Sequence, residues 1–398
     1  MRNHPLHIIG GTYQEYCLSP EWDQVFGSGG RAAIAAKGHC PNVILESYAN
    51  EYIRARFEVS AHLHEISWSP RHFEVQPEFE YFHTLASPSI NPSPFTCPQA
   101  EPIEVKAESV LRFGLLEGEA VVSAKKCVYD PQNTFAPHPF KTNGSNCDEL
   151  AIVGNAQEVL TLGRACDLDT ASANLATQGA SVIVVKDGSR GAHVYVADQK
   201  QTIPAYFSQH VWTIGSGDVF AGIFAANWAC GLSDAFEAAD IASRAVAAFA
   251  ESRNLPSPSQ NDLKRFYRTP VSLKPGKAYI AAPFFNLKDL WMLDEARNAL
   301  REVGLDYGSP YHDVAMGHAD KVAPKDIALL EKCDRVFALL DGLDTGTVYE
   351  LGYAASLGKP VYCFTQSSPP ESLTMIAGNG ARIYSDFGTA IFHTAWLS

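Results

Sequence analysis

The chain has 398 residues and carries 44 acidic against 31 basic side chains, a formal charge of -13 that excludes non-specific binding to nucleic acid, which needs clustered Lys and Arg. No apolar run nears the ~18 residues of a membrane span and no charged-then-apolar leader opens the chain, so a cytoplasmic protein is expected. Nine cysteines, odd in number and without a Cys-x-x-Cys pair, read as reduced thiols and not as a zinc site, and the length suits two domains.

In chain order, Leu6-His-Ile-Ile-Gly-Gly11 reads as a short buried strand entering a glycine turn. Gly27-Ser-Gly-Gly30-Arg-Ala-Ala-Ile-Ala-Ala36 is a second glycine-rich stretch followed by small apolar residues. From Ala49 to Pro102 the sequence is aromatic and Pro-rich, and Phe57, His62, His64, Ile66 and Trp68 fall on one side of an alternating pattern. That alternation predicts extended structure, a reshaped lid or a subunit-contact sheet. Asn146-Cys-Asp-Glu149 is an Asn-x-x-Glu element, and Val182-Ile-Val-Val-Lys-Asp187 is a strand closing on the turn Gly188-Ser-Arg-Gly191. Trp212-Thr-Ile-Gly215-Ser-Gly-Asp218-Val-Phe-Ala-Gly222 leads into an apolar helix running toward Gly231. Two glycines at a helix start leave backbone N–H groups to face an anion, and Asp218 can take a proton from a hydroxyl. Taken singly, Gly-Ser-Gly-Asp is a turn and Asn-x-x-Glu carries no signal.

Together, and in this order, these elements resemble the ribokinase-like (PfkB) sugar and nucleoside kinases. The resemblance implies a ribokinase-like α/β domain over 1–272 that uses ATP and Mg2+. It implies that Gly29 and Gly30 line the substrate pocket and that Gly215, Ser216 and Gly217 form an anion hole. Asp218 is then the catalytic base, Asn146 and Glu149 organise phosphate and, indirectly through Glu149, magnesium, and Gly188 and Gly191 meet the nucleotide. Two residues depart from the family. Trp212 stands where an Asp is usual, and Gly11-Thr-Tyr-Gln-Glu15 offers only Glu15 in place of a substrate-contacting Asp. They leave open whether the pocket phosphorylates its ligand or only binds it.

Ser259 to Asp262 can cap a helix reaching Tyr267, and Lys274-Pro-Gly-Lys277 reads as the interdomain linker. Beyond it the order is that of a doubly wound fold. Tyr279-Ile-Ala-Ala-Pro-Phe-Phe285 begins as a strand, and Leu293, Ala296, Leu300 and Val303 have helical spacing. Pro324 to Asp334 is an amphipathic helix bearing Asp326, and Asp334 to Asp341 is a strand. Gly342 to Thr347 reads as a loop, Val348 to Leu357 as a helix closing at Gly358, and Val361 to Phe364 as the next strand. Glu350 would then occupy the helix's first turn, where the dipole favours its ionised form. The plain alternatives are a helix-start preference for Glu350, packing for Tyr279 and a solvated charge for Asp326.

The run from Tyr279 to Phe285, with Asp326, Asp344 and Glu350 following, resembles the nucleoside 2-deoxyribosyltransferases over Lys277 to Ser398. The resemblance implies a smaller doubly wound, Rossmann-like domain over 277–398 that needs no cofactor. In it Glu350 attacks the anomeric carbon, the base leaves and a second base takes the sugar. Tyr279 hydrogen-bonds the nucleophile, while Asp326 and Asp344 bracket the base and manage its proton. Hydrolases of nucleoside 5'-monophosphates share the fold but carry a small hydroxyl residue six before the nucleophile. Asp344 there would repel a phosphate dianion, which favours an unphosphorylated nucleoside. Ser372, offered by a neighbouring subunit of a homo-oligomer, keeps transfer and hydrolysis both open. The joint expectation is a bifunctional nucleoside-metabolism protein whose partners are small nucleosides, bases or sugars. The alternative is an N-glycoside hydrolase joined to a kinase-like module that binds or assembles without turnover.

Overall fold

Long β-rich runs with both faces apolar decide the architecture of the first part of the chain, since only a sheet covered by helices on both sides buries them. The computed structural model describes residues 4–133, 136–266, 268–314 and 317–397. The chain divides into two units at the junction of Pro270 and Val271.

In the first unit, a nine-stranded sheet among the described residues runs Gln199–Ile203, Ala192–Val196, Ala180–Lys186, Asn146–Asn155, Ala120–Asp130, Ile103–Phe113, Leu6–Ile9, Val43–Glu46, Ser67–Trp68. Its pairings are parallel except for the two antiparallel ones at the Gln199–Ile203 edge. Alternate side chains serve opposite faces. Ile8, Leu111, Val128, Val153 and Val184 pack with the helices Gly27–Ala36, Ser216–Trp228 and Ala235–Ser252. Ile9, Val110, Cys127, Ile152 and Val185 pack with Ala156–Gly163 and Leu168–Thr177. The glycines after the first strand have a steric reason. A Cβ on Gly29 would stand 2.6 Å from the Gly10 carbonyl, so strand end and helix start meet backbone to backbone. A smaller sheet runs Trp22–Val25, Gln14–Ser19, Glu78–His83, Ser89–Asn91.

The stretch from Ala49 to Pro102 differs from its extended reading. Asn50 accepts from the Ile53 amide and caps a helix over Glu51–Leu63, on which Ile53, Phe57 and Ala61 are the buried side chains. Their spacing of four is helical, and the aromatic content hides it in the sequence. His62 is exposed and His64 half-buried, while extended structure begins at Ser67–Trp68 and Arg71–His72 and continues at Glu78–His83 and Ser89–Asn91. Ser259 caps Gln260–Arg265 as expected; Tyr267 lies outside the described residues.

The second unit is a five-stranded parallel sheet ordered Asp306–Gly308, Lys277–Ala281, Arg335–Leu339, Val361–Phe364, Arg382–Tyr384. In chain order that is 2-1-3-4-5, which reverses direction between its first and third strands. Leu293, Ala296, Ala299 and Leu300 form the buried stripe of the Leu287–Glu302 helix. In such sheets ligands bind outside the carboxyl ends of the strands at the reversal, here beyond Ala281 and Leu339.

Phe57 is fully buried and Val59 is 69% exposed on the same helix. Phe57→Ala is expected to lower the stability of the first unit by about 3–5 kcal/mol and Val59→Ala by less than about 0.5 kcal/mol in urea unfolding. Equal effects would contradict the helical face.

Candidate active sites

Tyr279, fully buried in the first strand of the second unit, donates its hydroxyl to Glu350 Oε1 at 2.6 Å. Glu350 belongs to the Thr345–Ser356 helix that follows the third strand, so the bond closes across the reversal of strand order. The helix starts three residues before the expected Val348, because Asp344 caps it: its Oδ2 accepts from the Thr347 amide at 2.8 Å and from Thr347 Oγ1 at 3.1 Å. Glu350 therefore lies in the second turn, and burial, not the helix terminus, sets its acidity. Burial pushes it up to about 7; the Tyr279 hydrogen bond opposes that rise and the charges of Asp326 and Asp344 add to it. Asp326, on the Ala319–Lys332 helix, is raised by burial and its Oδ1 is buried without a hydrogen-bond partner. Tyr279 is itself raised, first by burial and then by the Glu350 charge.

The structure thus brings Tyr279, Glu350, Asp326 and Asp344 into one electrostatic group. Ser372 lies exposed on the short turn Pro370–Leu373. Sequence reasoning misses two features. Phe284, Phe285 and Tyr311 form an aromatic cluster just past the first strand, with the Phe284 centroid 5.0 Å from Phe285 and 5.5 Å from Tyr311. Paired phenylalanines directly after a strand are its signal. Asp341 Oδ1 accepts from Thr365 Oγ1, the Gln366 and Ser367 amides and Ser367 Oγ at 2.7–3.0 Å, which ties down the loop after the fourth strand.

In the first unit Gly29 and Gly30 open the Gly27–Ala36 helix, and their amides donate to the Gly11 carbonyl at 3.0 and 3.3 Å. The next residue, Arg31, is 1% exposed. Its Nη1 donates to Asp218 Oδ2 at 2.9 Å and to Glu15 Oε1 at 3.1 Å, and its Nη2 pairs with Glu15 Oε2. Gln132 Nε2 donates to Asp218 Oδ1 at 2.8 Å. The guanidinium packs on Gly215, whose Cβ, were there one, would lie 2.2 Å from Arg31 Cζ; φ is +74° there, so glycine is required twice over. Burial works to lower the Arg31 pKa, but the two carboxylates hold it up. Trp212, 4% exposed, packs 5.0 Å from Trp22 with the Arg253 guanidinium 5.1 Å away, and so serves as core where an Asp is usual.

Asn146 and Glu149 are not brought to this group. They lie in the amino-terminal part of the Asn146–Asn155 strand, about 30 Å and about 20 Å along the strand from its carboxyl end, and Glu149 pairs with Lys126 Nζ at 3.1 Å. The carboxyl end carries a second Asn-x-x-Glu, Asn155-Ala-Gln-Glu158, a capping box in which Glu158 is 3% exposed. Glu158 bears electrostatically on Asp130, which is fully buried and bonded to Lys186 Nζ at 2.5 Å. Burial raises Asp130 to about 7, with Lys186 opposing and the charges of Glu158 and Asp218 adding. Lys186 Nζ also lies 3.4 Å from where a Cβ on Gly217 would sit, beside the start of the Ser216–Trp228 helix. The structure thus places 155–158, and not the expected 146–149, beside Asp130 and Lys186. A four-residue motif recurs by chance, and only its place at the carboxyl end of an apolar strand distinguishes the two. Gly188 and Gly191 bound the turn after the Ala180–Lys186 strand.

Residues 278–385 match the family model for nucleoside 2-deoxyribosyltransferase, and residues 140–260 match that for the pfkB family carbohydrate kinases. Among solved structures, a nucleoside kinase of Methanocaldococcus jannaschii, an archaeal member of the ribokinase family, is 15% identical over 66% of this chain and 97% of its own, with a TM-score of 0.50. A fructokinase double mutant of Vibrio cholerae O395 is 12% identical over 66% of this chain and 98% of its own, with a TM-score of 0.49. A ribokinase of Thermotoga maritima is 16% identical over 66% and 99%, with a TM-score of 0.45. No curated protein matches the chain. The first of these structures shows the ribokinase fold for the N-terminal unit, and the parallel sheet with its helices is the Rossmann-like arrangement of the C-terminal one.

Glu350 has a folded-state pKa raised from 4.5 to about 7, so the folded protein holds this proton more tightly than the unfolded chain. Its stabilising share is complete below the unfolded value and is lost as pH rises through about 7. Glu350→Gln is therefore expected to be more stable than wild type near pH 8, on the order of 1–2 kcal/mol after allowance for partial solvation, and close to wild type near pH 4. Thermal unfolding at the two pH values reads the difference, and an equal shift at both would refute the raised pKa.

Proposed function

We propose that the second unit cleaves the N-glycosidic bond of an unphosphorylated nucleoside or deoxynucleoside through a covalent glycosyl intermediate on Glu350. The observation that carries this reading is the 2.6 Å bond from the buried Tyr279 hydroxyl to Glu350 at the reversal of strand order. The ionised carboxylate attacks the anomeric carbon as the bond to the base breaks. Tyr279 holds the carboxylate in the attacking orientation. In the reacting complex Asp326 gives a proton to the departing base and, as a carboxylate, takes one back from the incoming base or water. That nucleophile then displaces Glu350 and the proton count is restored. A second base makes the enzyme a transferase and water a hydrolase. Asp344, fixed as a helix cap, places negative charge where a 5'-phosphate would otherwise use the helix N-terminus. Ser372, exposed on its turn, is the hydroxyl that a neighbouring subunit of a homo-oligomer would contribute.

For the first unit the proposal is binding and ATP-dependent phosphorylation of a nucleoside or sugar, with Asp218 as base; the match to the pfkB family carbohydrate kinases over 140–260 supports the kinase class alone. Among the described residues no three His, Cys, Asp or Glu side chains converge as a metal site. Mg2+ commonly takes one or two carboxylates plus nucleotide phosphates, and Asp130 and Glu158 fit that need. One observation favours the second reading, a module that binds without turnover: both oxygens of Asp218 already accept, from Arg31 and Gln132, and an acceptor hydroxyl must displace one.

Deoxynucleosides incubated with free adenine, with and without ATP and magnesium, and followed by chromatography test both units. Glu350→Ala is expected to lose base release or exchange by on the order of 10³-fold or more, and Tyr279→Phe by about 10–100-fold. Wild-type turnover should rise with pH toward about 7 as Glu350 ionises. Retention of activity in Glu350→Ala would refute the nucleophile. A phosphorylated product that disappears in Asp218→Asn would support the kinase; no such product, with a wild-type melting temperature raised by a nucleoside or sugar, would support the binding module.

A further inference from the structure

The third and fourth strands of the second unit are neighbours in its sheet, with Leu339 opposite Phe364, so the loops that follow them leave the sheet side by side. The Leu340 amide extends the pairing to the Phe364 carbonyl at 2.9 Å, and the next residue is Asp341. Asp341 Oδ1 gathers four donors from the facing loop: Thr365 Oγ1 at 2.7 Å, the Gln366 and Ser367 amides at 2.9 Å each, and Ser367 Oγ at 3.0 Å. Ser368 adds two links, its hydroxyl donating to the Leu340 carbonyl at 2.9 Å and its amide to Thr365 Oγ1 at 3.1 Å. Burial works to raise the Asp341 pKa, but these donors outweigh it and hold the group below the ordinary carboxylate value. It is therefore ionised at neutral pH, and bonds to an ionised acceptor are roughly twice as strong as neutral ones.

From this anchor to Ser372 the chain keeps little freedom. Pro369 and Pro370 follow at once with φ fixed by their rings, and Pro369 sits at φ -62° and ψ 138°. The Ser372 amide donates to the Pro369 carbonyl at 3.0 Å, and Thr374 Oγ1 donates to the Glu371 carbonyl at 2.9 Å. Leu373, 9% exposed, seats the far end in the core. Gln366, Ser367 and Pro369 through Ser372 are all exposed, so hydrogen bonds rather than packing hold the arm between its ends. On its own segment, Asp341 stands three residues before Asp344, the cap of the helix that carries Glu350.

We propose that Asp341 is a positioning residue of the second unit's site: it clamps the arm that ends at Ser372 to the loop that presents Asp344 and Glu350, and so sets where Ser372 stands. The inference rests on the reading of this unit as a nucleoside site to which Ser372 contributes its hydroxyl. Asp341 touches no reacting atom in this scheme; its effect passes through Ser372. Asp341→Ala frees the arm, while the Asp344 cap keeps its own bonds to Thr347.

Two measurements on the full chain test the clamp. In hydrogen exchange, Asp341→Ala is expected to lose protection at the Gln366 and Ser367 amides by about tenfold or more, with the Val361–Phe364 strand unchanged and a melting curve showing a folded protein. Asp341→Asn keeps the Oδ1 acceptor and should retain most of that protection. In base release and exchange from deoxynucleosides, Asp341→Ala and Ser372→Ala should lose kcat/KM by similar factors, and the double variant should lose no more than about twofold beyond either. Asp341→Asn should recover most of the loss. Losses that multiply in the double variant, a fully active Ser372→Ala beside an impaired Asp341→Ala, or unchanged exchange at Gln366 and Ser367 would each overturn the proposal. A wild type that releases no base, with the arm still loosened in Asp341→Ala, would refute the nucleoside reading and uphold the clamp.

Discussion

Taking one carboxylate partly out of water at the edge of a parallel sheet is the constraint around which the second unit is arranged. An uncompensated buried carboxylate is costly, and proteins meet the cost by a hydrogen-bond donor, a proton or both. Glu350 has both remedies within reach: the Tyr279 hydroxyl at 2.6 Å and an affinity for protons raised to about 7. Neither remedy is complete. Tyr279 stabilises the ionised form while burial and the charges of Asp326 and Asp344 work against it, leaving the group poised near neutrality. A carboxylate so balanced changes its charge with small changes in its surroundings, such as the arrival of a ligand.

The first unit solves the inverse problem, a buried cation. Arg31 is nearly without solvent, and its guanidinium is matched to Glu15 on one side and Asp218 on the other. Removing one member of such a group leaves an unpaired buried charge, so the three residues are bound to one another in stability even where one of them also serves chemistry. Lys186 with Asp130 repeats the device at the neighbouring strand ends. The two ion groups communicate, since the Asp218 charge is felt at Asp130 and at Lys186. The acidity of Asp130 is therefore a property of the whole cluster, not of its bond to Lys186 alone.

What the sequence makes legible follows from the range of the interactions involved. The strands Leu6–Ile9 and Val361–Phe364 and the helices at Gly27 and Ser216 are specified by local runs of apolar or glycine residues and are readable. Tyr279 and Glu350 are reached through family order, and their contact, 71 residues apart, is a property of sheet order that no local pattern encodes. The Thr345 helix start escapes a sequence reading because the competing loop signal of Gly342 and Gly346 masks Asp344 as a cap. Arg31 escapes it because an arginine among alanines reads as a surface charge until Glu15 and Asp218 are seen on either side of it.

Asn146-x-x-Glu149 and Asn155-x-x-Glu158 show why position in the sheet decides chemistry. Both motifs lie on or just beyond a single strand and both satisfy the same pattern. At the amino end, Glu149 finds Lys126 and solvent, an ordinary exposed pair worth little. At the carboxyl end, Asn155 turns the chain into a helix, and the cap draws Glu158 inward to where Asp130 and Lys186 already converge. Parallel strands all deliver their following loops to that one edge, so polar groups gather there by topology and must satisfy one another in the absence of ligand. The same rule places Tyr279, Glu350 and Asp341 along the corresponding edge of the second sheet. A ligand that enters either edge therefore exchanges partners with groups that are already charged, buried and hydrogen-bonded, and its affinity is the difference between two well-made sets of contacts.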